Sequence, residues 1–233
     1  MANKKETVLV VAAHPDDEIL GCGGTLARHA SLGDEVHILI VAEGATSRLE
    51  AAQTAEANED TNNLQAAAKK AAEEIGAKVP CLLGLPDNRL DSLALLDVIL
   101  PIEKHVEEIK PSIIYTHHGG DLNIDHRIVH QAVLTATRPM PGQPPCSVYA
   151  FETVSSTEWA ASDPTSAFQP QRYVNISSTL ECKRKALGHY PMEMRAFPHA
   201  RSIENIEALA RFRGASAGLA AAEGFVVLRE IIS

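Results

Sequence analysis

The sequence predicts one α/β domain: a Rossmann-like open sheet, mainly parallel, with helices on both faces. Three observations carry this expectation. Short apolar runs rich in β-branched residues recur along the chain, as strands buried on both faces do. Helical stretches that end at Gly or Pro separate them, and such alternation builds a parallel sheet covered on both sides. The 233 residues, 45% hydrophobic, suffice for one large core. No repeat, low-complexity tract or linker divides the chain, so a single domain over 1–233 is expected.

Thr7–Ala13 (TVLVVAA) is apolar almost throughout and reads as the first strand. Thr25–Ser31 reads as a helix closed by Gly33. Glu35–Val41 (EVHILIV) is the second strand, interrupted by His37. Asn58–Ile75 is Ala-rich and helical, with Gly76 at the C-terminal stop position. Val79–Leu83 is the third strand, Leu93–Ile109 a helix before Pro111, and Ser112–Thr116 the fourth strand. A helix near Asp125–Thr137 stops at Pro139, and the Pro-rich Arg138–Pro145 is an irregular loop. Cys146–Phe151 is a fifth strand, and Ser155–Gln171 lacks periodicity and reads as loop. Arg172–Ile176 reads as a strand, and Leu180–His189 and Ser202–Ala217 as helices. Phe225–Ile232 fits a last strand or helix.

Charge and cysteine usage exclude several functions. With 21 Lys+Arg against 30 Asp+Glu, the net charge is −9. A general nucleic-acid binder needs basic surface to neutralise phosphates, and an anionic membrane surface would repel the chain. Neither is an expected partner. Cys22, Cys81, Cys146 and Cys182 show no CxxC spacing, so neither a zinc ribbon nor a redox pair is indicated. Met1–Thr7 is polar and lacks the apolar core of a signal peptide, and no apolar run reaches the roughly 20 residues of a membrane span. A reducing, cytoplasmic setting is the expectation.

Two constellations carry the chemistry. Ala13-His14-Pro15-Asp16-Asp17-Glu18 directly follows the first strand, at the carboxyl end where open α/β sheets build ligand sites. His14 and Asp17 lie three apart across a turn pinned by Pro15, and imidazole with carboxylate is a common zinc pair. Asp16, between them, is placed to serve as a base. A helix N-terminus with favourable charges would explain the acids but not His14. The second is His117-His118-Gly119-Gly120-Asp121-Leu122-Asn123-Ile124-Asp125-His126, directly after the fourth strand. A polar loop with Asp125 capping the next helix leaves its three histidines unexplained. In a doubly wound sheet the first and fourth strands flank the switch-point crevice. His14, Asp17 and His126 can meet there, and three protein ligands leave room for water, as in catalytic zinc sites.

Two other patterns are weaker. Gly21-Cys22-Gly23-Gly24 resembles part of a GxGxxG dinucleotide fingerprint, but Leu26 stands where the third glycine belongs. His126 and His130 have zincin spacing, but Arg127 replaces the Glu that should follow the first His. His130 is better read as a helix-surface or supporting residue.

AHPDDE after the first strand, with an Asp-His pair after the fourth, resembles the LmbE-like (PIG-L) family, over nearly the whole chain. The resemblance implies a metal-dependent, usually zinc-dependent, deacetylase acting on the N-acetyl group of amino-sugar conjugates. It implies His14, Asp17 and His126 as metal ligands and Asp16 as the general base for water attack on the acetamide. Many members have HPDH where this chain has Asn123-Ile124-Asp125-His126. The first His of that motif is thought to assist the transition state or leaving group, and His117 or His118 is expected to take over its task. Arg48, Asp87 and Asn123 are implied substrate contacts. His199, in Phe197-Pro198-His199-Ala200-Arg201-Ser202, is a further one, from the same or a neighbouring subunit. Ser202 is alternatively a helix N-cap. A homo-oligomer, trimer or hexamer, is also implied. Alternatives are a zinc amidase for a non-sugar amide or glycosyl-thiol conjugate, and a non-catalytic nucleotide-binding domain.

Overall fold

The structure, a computed structural model, describes residues 5–44, 55–161 and 163–231, with the backbone alone at 55–58. Its elements are β1 (Thr7–Ala12), α1 (Asp17–Ser31), β2 (Glu35–Ala42), α2 (Ala55–Glu74), β3 (Cys81–Leu85), α3 (Leu95–Ile109) and β4 (Ile113–His117). Then follow α4 (Ile124–Ala136), β5 (Ser147–Phe151), β6 (Arg172–Asn175), α5 (Leu180–Leu187), α6 (Ile203–Ala215) and β7 (Ala222–Arg229). The strands form one sheet in the order β3-β2-β1-β4-β5-β7-β6. β1 pairs in parallel with β2 and β4, β2 with β3, and β4 with β5. β7 runs antiparallel to both β5 and β6. The expected mainly parallel sheet, with its first strand between the second and fourth, is therefore present.

Period-two alternation sorts the core into two faces. Val8 and Val10 face one way and pack with Leu26, Ala68, Ala71 and Ile206 from α1, α2 and α6. Leu9 and Val11 face the other way and pack with Val98, Ile102, Val129 and Val133 from α3 and α4. Each such aliphatic side chain contributes about 1.5–3 kcal/mol when fully buried. With both faces covered, the loops after β1 and β4 are left at the carboxyl edge to carry polar chemistry.

Several boundaries differ from the sequence reading. The first helix begins at Asp17 rather than Thr25 and runs through the Gly-rich segment, kinking at Cys22 (φ −146°, ψ 19°). The glycines serve close packing: a Cβ on Gly21 would fall 2.2 Å from the Phe151 ring, and one on Gly24 2.9 Å from Ile176. Past the kink, the Glu223 carboxylate accepts the Gly24 and Thr25 N–H groups at 3.0 and 2.7 Å. Lys183 Nζ neutralises that carboxylate at 2.6 Å and donates to the Leu20 carbonyl at 2.8 Å. The third strand is Cys81–Leu85, two residues later than expected. The last apolar run is a strand, Ala222–Arg229, paired on both sides. Asn123, not Asp125, caps α4, accepting the Asp125 N–H at 2.8 Å. Ser202 caps α6, accepting from Asn205 N–H at 3.2 Å.

Candidate active site and metal centre

Asp17 is the hub of the site. It opens α1, is fully buried, and its Oδ2 accepts the His14 backbone N–H at 3.0 Å. The same oxygen lies 3.2 Å from His14 Nδ1 and 3.2 Å from His126 Nε2. Ligand atoms of His14, Asp17 and His126 all fall within 4.8 Å of one another. Asp17 Oδ1 is buried with no hydrogen-bond partner among the described residues. One oxygen of this carboxylate sits between two imidazole nitrogens and the other has no partner among the described residues, an unsatisfied donor set that a bound cation would satisfy. The donor set, two imidazoles and one carboxylate, suits Zn²⁺. The residues present therefore fit a metal.

A carboxylate backs each imidazole on its far nitrogen. His14 Nε2 lies 3.0 Å from Asp125 Oδ2 and 3.2 Å from Asp87 Oδ1. His126 Nδ1 lies 3.1 Å from Asp121 Oδ1. Such partners fix ring orientation and raise ligand basicity. Both supports are tied to the backbone or to loop side chains. Asp125 accepts the N–H groups of Asn88 and Leu90 at 2.7 and 3.0 Å, drawing the loop after β3 onto α4. Asp121 accepts the Asn123 N–H at 2.9 Å, the Thr157 hydroxyl at 2.5 Å and the Ser156 hydroxyl. A second triple, His14, Asp87 and Asp125, also converges. Both Asp125 oxygens are already engaged by backbone N–H groups, which suits an orienting role rather than a ligand's.

The electrostatics follow from burial among acids. Burial opposes a charged His14, but hydrogen bonds to Asp125 and Asp17 overcome it and raise its pKa to about 10. Burial likewise opposes the His126 cation, and the Asp17 and Asp121 carboxylates raise it to about 9. Asp17 feels burial pushing its pKa up, yet His126 and His14 hold it well below the usual range. Asp121, despite burial, is held down to about 2 by His126 and the two hydroxyls.

His117 lies beneath this cluster. It is fully buried, its ring stacks on His126 at 3.9 Å, and its Nε2 accepts the Ala13 N–H at 2.8 Å. The proton therefore sits on Nδ1, which faces Thr153 Oγ1 at 3.4 Å. Burial and the neighbouring His126 cation keep His117 neutral. His130 donates from Nδ1 to the His117 carbonyl at 2.8 Å, a supporting contact.

Asp16 is buried and has φ 107°, a conformation that costs a non-glycine residue about 1–3 kcal/mol. Such strain persists only where neighbours enforce it. Glu18 Oε2 accepts the Asp16 N–H at 3.0 Å, and the Tyr190 hydroxyl donates to Glu18 Oε1 at 2.6 Å. Arg201 Nη1 donates to Asp16 Oδ2 at 2.6 Å. Burial raises the Asp16 pKa well above the ordinary carboxylate value, with Arg201 opposing. Burial also lifts Glu18 to about 7.

The remaining expected residues are placed as follows. Arg48 lies outside the described residues. Asp87 is buried against His14. Asn123, the α4 cap, donates from Nδ2 to Asn88 Oδ1 at 3.0 Å. His118 is turned away, with Nε2 on the Ser166 carbonyl at 2.8 Å and its ring edge-on to Phe168. His199 is exposed at the rim, edge-on to Trp159, and its Nδ1 accepts the Arg201 N–H at 3.0 Å. It lines an open cleft of about 190 Å³ with Ser155, Trp159, Glu193, Arg195 and Arg201. The structure thus gathers His14, Asp17, His126, His117 and Asp87, and sets His118 and His199 apart. Sequence reasoning missed the roles of Asp121, Asp125, Glu18 and Arg201. The density of acids around the histidines was the only signal for the three acids, and Arg201 had none beyond its place two residues after His199.

Comparison with known proteins adds a family and a fold. The family described as PIG-L: GlcNAc-PI de-N-acetylase matches residues 9–137. An uncharacterized deacetylase, YaiS of Escherichia coli (strain K12), is 29% identical over 183 residues, 75% of this chain and 84% of that protein. A probable N-acetyl-alpha-D-glucosaminyl L-malate deacetylase 2 of Bacillus cereus is 29% identical over 194 residues, 81% of this chain and 84% of that protein. Among solved structures, the N,N'-diacetylchitobiose deacetylase of Pyrococcus horikoshii has a TM-score of 0.77 at 17% identity, covering 96% of this chain and 84% of that one. GalB, the 4-carboxy-2-hydroxymuconate hydratase of Pseudomonas putida KT2440, has a TM-score of 0.75 at 22% identity, covering 98% of each chain. At these identities the structural likeness speaks for the fold alone.

Proposed function

The chain belongs to the PIG-L (GlcNAc-PI de-N-acetylase) family, a deacetylase family, and from that premise we propose that it is a zinc-dependent hydrolase removing the acetyl group from an N-acetylglucosamine-type sugar or conjugate. The observation that carries the reading is the convergence of His14 Nδ1 and His126 Nε2 on the buried Asp17 carboxylate, whose second oxygen has no partner among the described residues. Those three residues would hold the ion. When bound, it supplies Lewis acidity that lowers the pKa of water toward about 7 and polarises a carbonyl.

The chain's own residues do the rest. Asp125 and Asp121 orient the two imidazoles. Asp16, whose carboxyl pKa burial raises above the ordinary carboxylate value, is a better proton acceptor than an exposed carboxylate. It takes a proton from water as the water oxygen adds to the acetamide carbon. It returns that proton to nitrogen as the C–N bond breaks, leaving acetate and a free amine. For the hydrogen bond to the developing oxyanion or the leaving group we propose His117, which stacks on His126, over His118, which is held on the Ser166 carbonyl and against Phe168. Arg48, Asn123 and His199 remain proposed sugar contacts, while Asp87 is better assigned to orienting His14.

The family domain is proposed to extend over the whole chain, because β5, β7 and β6 continue the sheet that the 9–137 match begins. Among the described residues no helix is long and apolar enough to cross a membrane. A homo-oligomer and a cytoplasmic location are proposals.

The test is acetate release by zinc-loaded protein from a panel of N-acetylglucosamine conjugates and non-sugar acetamides. Turnover of a sugar conjugate supports the reading. Stoichiometric zinc with no acetate from any sugar overturns it. An unsaturated hydroxy acid belongs in the panel, because the same fold also serves the GalB hydratase.

A further inference from the structure

One C-terminal segment reaches Asp16 from two sides. Tyr190, 1% exposed, donates its hydroxyl to Glu18 Oε1 at 2.6 Å, and the other oxygen of that carboxylate accepts the Asp16 N–H at 3.0 Å. Arg201 Nη1 holds the Asp16 carboxylate at 2.6 Å and Glu193 Oε2 at 3.0 Å, while its Nε donates to Ser155 Oγ at 2.8 Å. Tyr190, Glu193 and Arg201 all lie beyond the 9–137 family match.

Three features separate this from ordinary packing. Asp16 holds φ 107° at the N-cap of α1, where its side chain makes no capping bond. The carboxylate is therefore left to point elsewhere, and the backbone needs another group to hold it. Glu18 is fully buried and spends one oxygen on that one N–H. The Tyr190 hydroxyl fixes the other oxygen, so the Glu18 rotamer is set from outside α1.

We propose that Tyr190 and Glu18 are positioning residues, a relay in which the Tyr190 hydroxyl fixes Glu18 and Glu18 fixes the Asp16 backbone in its left-handed conformation. The inference rests on Asp16 as the base. The Tyr190 hydroxyl bonds Glu18 and acts through it.

The decisive variant is Tyr190→Phe, which keeps the ring and removes the hydroxyl. In the zinc-loaded enzyme kcat should fall by about 10- to 100-fold, the scale of a misplaced catalytic group, with KM within about twofold and zinc content unchanged. Introduced into Asp16→Asn, the same change should cost nothing further, because both act on one step. Glu18→Gln, which keeps an acceptor for the Asp16 N–H, should retain more activity than Glu18→Ala. A readout independent of turnover is amide hydrogen exchange. The Asp16 N–H should exchange at least about 10-fold faster in Tyr190→Phe. The Ile19 and Leu20 amides, which donate to the Asp16 carbonyl at 3.0 and 2.8 Å, should keep their protection. Unchanged kcat with unchanged Asp16 exchange in Tyr190→Phe would overturn the relay, as would additive losses with Asp16→Asn. Full activity in Asp16→Asn would sink the base assignment instead, and the exchange rates would still decide the relay.

Discussion

His14 Nε2 lies 3.0 Å from Asp125 Oδ2, which leaves Nδ1 facing Asp17 and the candidate metal position. The pair ties the loop after β1 to the start of α4. Asp125 also anchors the loop after β3 through the Asn88 and Leu90 N–H groups. One carboxylate thereby aligns three loops at the carboxyl edge of the sheet. Asp125→Asn should keep the fold and weaken zinc binding by about 10- to 100-fold, the usual cost of losing such a partner. Competition with a chelator of known affinity measures this. An unchanged dissociation constant would remove Asp125 from the site.

The metal-free protein should lose stability as pH rises. His14 is raised to about 10 and His126 to about 9, against an unfolded value near 6.5. The folded chain holds these two protons more tightly than the unfolded chain does. Their contribution is full below about pH 6.5 and is lost as pH climbs through about 9 to 10. Zinc competes for the same nitrogens, so the stabilisation it adds should grow over that window. Urea midpoints at pH 6, 8 and 10, with and without zinc, check both trends. The His14→Asn, His126→Asn double variant should flatten the metal-free curve. A wild-type curve that rises with pH would contradict the assignment.

Arg201 tunes Asp16. Its charge, 2.6 Å away, opposes the upward push of burial on the Asp16 carboxyl. Removing it in Arg201→Met should raise that pKa further, so the base form appears only at higher pH. The acid limb of kcat/KM should move upward, read from a pH profile against wild type. A limb that stays put, or moves down, would mean Arg201 does not act on the ionised base.

Lys183→Met should be among the most destabilising single changes outside the site. Among the described residues it leaves Glu223, 5% exposed, with the Gly24 and Thr25 N–H groups as its hydrogen-bond donors. Losing one partner of a buried pair costs about 3–5 kcal/mol. Chemical denaturation reads the loss directly. A cost under about 1 kcal/mol would show that the α1 kink does not depend on the pair.

Much of this was legible in the sequence because it is local. The runs around Val8–Val11 and Ile38–Val41 are buried on both faces, and uninterrupted apolarity announces that. The polar blocks directly after β1 and β4 follow from where those strands end. The start of α1 was hidden because its glycines answer to Phe151 and Ile176, far along the chain. A local reading sees there only part of a dinucleotide fingerprint. β7 was ambiguous because an apolar run of that length suits either element, and its two antiparallel neighbours decide it. Asp121, Asp125 and Arg201 gain their roles from partners brought near by the fold, and no local pattern encodes that.

The decisive comparison is Asp16→Asn against wild type, measuring bound zinc and acetate release on the same samples. Zinc should stay stoichiometric while turnover falls by at least about 100-fold, the scale of a lost acid–base group. Near-full turnover in the variant would contradict the assignment of Asp16 and, with it, the proposed chemistry of the site.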